Sequence, residues 1–178
     1  IQLFARTRRA ATNQMPGWLF LTGVAAGSAV WTTHFLAMLG FEPGIQHAYD
    51  PTLTLISWFV AIVASVTGFA IASWHIRYGT ELGGAVFGAG VGAMHYTGMS
   101  ALTVPGALHW DFSLIAWSML FGMVFSAAAL HVMPRPTTLS SRALAAGLLT
   151  LAIVSLHFTG MGAVTIVPDT TVSISLSM

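Results

Sequence analysis

Five apolar stretches, roughly 18–39, 53–76, 82–104, 112–133 and 143–167, follow one another along the chain with only short polar links between them. At 1.5 Å of rise per residue each is long enough to cross a hydrocarbon core about 30 Å thick. Lipid offers backbone groups no hydrogen-bond partner, so segments of this kind span as helices that satisfy their own amides. The pattern predicts an all-α fold, a polytopic transmembrane helix bundle of about five spans.

Composition agrees. Charged residues make up 6% of the chain and apolar residues 56%, against roughly a quarter charged in soluble domains. Once five spans are drawn, little remains for a separate soluble unit, so residues 1–178 are expected to form one domain. The absence of Cys excludes disulfides, thiolate nucleophiles, Fe–S clusters and Cys-type zinc sites. The formal charge is +1 and all the basic residues are Arg, so no polybasic stripe points to a nucleic-acid partner. No nucleophile–base pair, no carboxylate pair within the spans and no phosphate-binding loop is present, and catalysis is not expected. The chain opens on Ile1 and reads as an excised piece; 170–178 reads as an irregular tail.

Placing the N-terminus in the cytoplasm puts Arg6, Arg8, Arg9, Arg77, Arg135 and Arg142 all on that side, as the positive-inside bias requires. Glu42, Asp50, Asp111 and Asp169 then face outward, leaving Glu81 inside.

A repeat carries the chemistry. The first span contains Thr33-His34-Phe35-Leu36-Ala37-Met38, the third Met94-His95-Tyr96-Thr97-Gly98-Met99 and the fifth Leu156-His157-Phe158-Thr159-Gly160-Met161. The three His recur about every 61 residues, one motif helix plus one return helix with their links, so the motif helices run parallel and their motifs lie at one depth near the outer face. Positions i and i+4 share a helix face, so each His and its Met can address a common point. Gly23 and Gly27, and Gly84, Gly88 and Gly92, have the small-residue spacing that lets membrane helices approach closely.

The string Met94-His95-Tyr96-Thr97 and its variants in the other two spans resemble the bacterial MHYT sensor domain over nearly the whole chain. The leading Met is Thr33 in the first repeat and Leu156 in the third, which makes Met94 a poorer ligand candidate than Met38, Met99 and Met161. The resemblance implies a seven-span domain of which this chain is the middle five, in the bacterial inner membrane. It also implies a copper site near the periplasmic face that senses oxygen, carbon monoxide or nitric oxide. Such domains are often joined to cytoplasmic signalling domains, cyclic-di-GMP enzymes among them, none of which is encoded here. The expected partners are therefore the lipid bilayer, a diatomic gas or metal ligand and an output domain outside this chain, with a homodimer compatible.

The residues themselves permit the same chemistry. Imidazole and thioether without thiolate or carboxylate suit copper best. The candidate set is His34, Met38, His95, Met99, His157 and Met161. Zinc would use the three His alone, and haem could take two of them as axial ligands. The competing explanation is ordinary packing, with each His bonded to a carbonyl and each Met filling a gap; three coincidences at one depth weigh against it. A haem or redox protein and a copper transporter are the other functions considered, although no ladder of Met crosses the membrane.

His47 and His109 fall in outer loops and read as solvated residues. His75 and His131 lie near the inner ends of the return helices. Phe35, Tyr96 and Phe158 read as shielding residues, Thr97 and Thr159 as partners for a second imidazole nitrogen or a backbone carbonyl, and most Trp as an aromatic belt near span ends.

Overall fold

The computed structural model describes residues 2–42, 44–74, 76–133 and 138–169. Within them run α1 (Gln2–Arg9), α2 (Met15–Leu39), α3 (Pro51–Ser73), α4 (Gly79–Ser100), α5 (Phe112–Val132) and α6 (Leu139–Gly162). The last five are the expected spans. His75, Arg135 and the expected tail 170–178 lie outside the described residues.

Local chemistry starts these helices where the links end. The Asp50 carboxylate accepts the Leu53 N–H at 2.7 Å, with Pro51 in the first turn where its missing N–H costs nothing. Asp111 caps α5 through the N–H groups of Ser113 and Leu114, and the Thr138 hydroxyl caps α6 through that of Ser141. Asp50→Ala is expected to cost about 1 kcal/mol of stability, read as a lowered unfolding midpoint in detergent.

Successive helices pack side by side from α2 to α6, with α4 in the middle, touching α2 and α6 as well as α3 and α5. Four spans, α2, α3, α5 and α6, are long and apolar enough to cross a membrane on their own composition. Helix α4 is not, because its glycines and polar motif dilute the apolar residues. Its position explains this: a central helix faces other helices rather than lipid and needs small size more than hydropathy. Gly27 on α2 meets the backbone of α3, where an added Cβ would lie 2.7 Å from the Ala61 carbonyl oxygen. Gly88, the matching residue of α4, meets the Gly122 carbonyl of α5 in the same way, so the repeat extends to how each motif helix seats against its return helix.

At the motif end the chain departs from the expected spans. The third and fifth apolar stretches were expected to remain helical to 104 and 167, but α4 stops at Ser100 and α6 at Gly162. Strands follow instead: β1 (Ala48–Tyr49) pairs antiparallel with β2 (Leu102–Thr103), and β3 (Gly106–Trp110) with β4 (Val164–Pro168). Apolar β-branched residues such as Val164, Ile166 and Val167 count as helix in hydropathy yet favour extended backbone. The Ala101 and Ala163 carbonyls, just past each helix end, accept the Asp50 and Asp111 N–H groups, both at 2.8 Å. Tyr49 opposite Leu102 and Trp110 opposite Val164 repeat one arrangement twice.

Helices α2 and α6 close the row only loosely. Among the described residues they scarcely pack against each other, meeting chiefly through His34 and His157. At the opposite end α1 lies against α2, through a 3.1 Å contact between the Thr7 and Thr22 hydroxyls, and against α3, through Phe4 on Phe69.

Candidate metal centre

His34 on α2, His95 on α4 and His157 on α6 come together as one triangle. Their ring centroids are 4.9, 5.3 and 5.4 Å apart, with the rings nearly perpendicular. His34 Nδ1 lies 3.3 Å from His95 Nδ1 and 3.4 Å from His157 Nδ1. His34 and His95 are buried, and His157, beside the open seam, is half-buried.

The triangle cannot be satisfied by its own hydrogen bonds. A neutral imidazole nitrogen carries either one hydrogen or one lone pair, so His34 Nδ1 cannot serve two neighbours. The Nε2 atoms of His34 and His95 are buried without partners, and each rests against a glycine of the next motif helix, Gly98 and Gly160 respectively. Three nitrogens bound about 2.0–2.1 Å from one ion at trigonal or tetrahedral angles stand about 3.3–3.6 Å apart. The two Nδ1 spacings from His34 fall in that range, and the three residues each offer a ring nitrogen within 4.8 Å of the others, so the donor set fits a single small cation.

One helical turn further toward the motif end, Met38, Met99 and Met161 join a second layer. Met38 and Met99 are buried in one cluster with Leu102, and Met161, Phe41, Tyr49, Trp110 and Val164 pack against it. The six candidate residues thus occupy two adjacent layers, a His triangle below and a Met cluster above. Met94, the poorer candidate, packs on the other side with Val30, Val91 and Leu156.

Each motif aromatic contacts the His beside it, although Phe158 is 66% exposed. Phe35, Tyr96 and Phe158 stand edge-on to their own His at 4.9, 4.9 and 5.2 Å. Thr97 bonds the Ala93 carbonyl of its own helix at 2.8 Å. Trp31 is no belt residue; its indole N–H donates to Ser57 Oγ at 3.0 Å, one turn from His34. The Tyr96 hydroxyl makes the corresponding contact with Ser118 on α5. These return-helix serines escaped the motif reading, although Ser57 and Ser118 share the repeat period and could have been found by it. Gly98 and Gly160 were visible as motif letters, but not as seats for a neighbouring imidazole.

The other described His stand apart. His47 Nδ1 is 3.3 Å from the Ile45 carbonyl, His109 lies on β3, and His131 Nδ1 is 2.6 Å from Glu81 Oε1 at the Arg-bearing end.

Parallel motif helices in an apolar bundle, meeting in a buried imidazole triangle, define a multi-pass membrane domain with a candidate metal centre. The family described as "Bacterial signalling protein N terminal repeat", MHYT, matches residues 27–84 and 88–146, and the chain belongs to it. An "Uncharacterized signaling protein" of Caulobacter vibrioides is 42% identical over 97% of this chain and 22% of its own length. Two Pseudomonas aeruginosa proteins are also similar. The "Bifunctional diguanylate cyclase/cyclic di-GMP phosphodiesterase MucR" is 33% identical over 92% of this chain and 25% of its own length. For the "Cyclic di-GMP phosphodiesterase NbdA" the values are 34%, 82% and 20%. The chain therefore spans about a fifth to a quarter of these curated relatives. No solved structure matches.

Proposed function

We propose that this MHYT domain is a copper-dependent sensory module of the bacterial inner membrane, with its Arg-bearing end cytoplasmic and its motif end periplasmic. His34, His95 and His157 hold the ion, and some of Met38, Met99 and Met161 complete its surroundings. A diatomic gas, or a change in redox or metal state, is the signal. Such a signal acts only if it favours one packing of α2, α4 and α6 over another. The output is a cytoplasmic signalling domain outside this chain, and the names of the Pseudomonas relatives favour one that makes or breaks cyclic di-GMP.

The observation that carries this reading is the pair of Nδ1 separations, 3.3 and 3.4 Å, among imidazoles from three different helices. The neighbouring thioether layer favours copper over zinc. Rings 4.9–5.4 Å apart favour an ion over a flat macrocycle inserted between them.

Metal analysis of protein purified without added chelator tests it. About one copper per chain is expected, falling below about a tenth of that in His95→Ala and His157→Ala. Unchanged copper in both variants would remove the site assignment, and an intense Soret band would replace the ion by haem.

A further inference from the structure

The Arg-bearing end holds a second cluster that the histidine site does not use. On α1, Gln2, Ala5, Arg6 and Arg9 recur at i, i+3, i+4 and i+7 and share one face. The opposite face, with Phe4 and Thr7 each 1% exposed, anchors the helix to the bundle. The Arg face, together with Arg142 and Ser141 from α6 and Met133 beyond α5, walls a cavity of about 200 Å³.

Three guanidinium groups thus open onto one small space without a compensating acid. Among the described residues no carboxylate lies within ion-pair distance of Arg6, Arg9 or Arg142, and Glu81, the acid at this end, is engaged by His131. Arg6 is also positioned 5.6 Å over the Trp18 ring, an interfacial arrangement. Planar guanidinium forks match phosphate oxygens.

Met133 also borders a second cavity, about 290 Å³ in volume, lined by Phe4, Ala26, Val30, Leu149 and Ile153 in the seam between α2 and α6. A cationic mouth therefore leads into an apolar slot. Val30 and Ile153 precede His34 and His157 by one helical turn, so the slot ends beneath the imidazole triangle.

We infer that this seam binds an anionic phospholipid, its phosphate on Arg6, Arg9 and Arg142 and an acyl chain between α2 and α6. Basic pockets between membrane helices recognise lipid headgroups by this combination of charge and adjoining apolar surface.

The test is lipid retention by the purified chain after equilibration in mixed micelles of phosphatidylglycerol and phosphatidylcholine. Retention should favour phosphatidylglycerol by about tenfold or more, given roughly 1 kcal/mol per Arg. The Arg6→Gln/Arg142→Gln double variant should lower the ratio about tenfold or more, leaving only what Arg9 sustains, with the helical circular dichroism unchanged. Arg77→Gln, on a guanidinium that instead covers Tyr78, should leave it intact. Equal retention of both lipids, or an equal loss in Arg77→Gln, would overturn the site. Displacement of phosphatidylglycerol by inorganic phosphate at equal concentration would overturn the lipid assignment and leave a simple anion site. Failure of either lipid to remain, as when another protein segment fills the seam, would overturn it as well.

Discussion

Gly160→Val is expected to empty the histidine site while leaving the bundle folded: copper per chain falls about tenfold or more, and helicity is retained. A Cβ at this position collides with His95 Nε2 and comes 3.2 Å from the Tyr96 hydroxyl. Both obstacles are the far ends of side chains, so α4 and α6 can keep their backbone positions while the imidazole swings away. A ring forced about 30° off its rotamer costs about 0.5–1.5 kcal/mol, affordable for the fold and ruinous for ligand geometry. Gly98→Val should act alike on His34, whose Nε2 would lie 2.7 Å from the new Cβ. Metal analysis alongside circular dichroism checks both. Full copper content in Gly160→Val would mean that His95 does not bind through the orientation described.

Gly88→Val should do the reverse and damage the fold first. Its Cβ would collide with the Gly122 carbonyl and lie 2.8 Å from the Met123 Cα, and backbone on a facing helix cannot step aside. Overpacking costs typically 1–3 kcal/mol, occasionally more, and here it would push α5 away from the central helix. Most of the protein should be lost as aggregate, measured as the monodisperse fraction on size exclusion, with a depressed unfolding midpoint in what remains. Gly147→Val, where an added Cβ meets nothing within 4 Å, is the matched control and should behave as the parent. Equal behaviour of the two variants would refute close packing of α4 on α5.

The contrast between these glycines marks what a one-dimensional reading can see. Apolar length made the spans legible, and the 61-residue recurrence made the parallel motif helices legible, because both are properties of position along the chain. The six candidate residues followed from the recurrence, and the structure brings the three His into contact and the three Met into one cluster. The strand pairs were missed because a β-branched apolar run scores as membrane helix until a partner strand is known. Helix α1 was not expected from the sequence, since eight residues are too few to hold a helix without the packing of Phe4 and Thr7. The seats at Gly98 and Gly160 depend on which helix lies opposite, and no spacing within one helix reports that.

The two short ladders at the motif end have a mechanical consequence. Each ties the start of a return helix to the finish of the next motif helix, so the ends of α2, α4 and α6 nearest the histidines are strapped in series. Among the described residues the opposite ends of α2 and α6 have no such strap. The bundle is thus built like tongs, strapped beside the imidazoles and held below by helix packing alone. Helix α6 has 24 residues and is about 36 Å long. A tilt of about 3° at the pivot therefore carries its far end by about 2 Å. A sub-ångström rearrangement at the imidazoles would be enlarged, by leverage alone, into a displacement of ångströms at the Arg-bearing end.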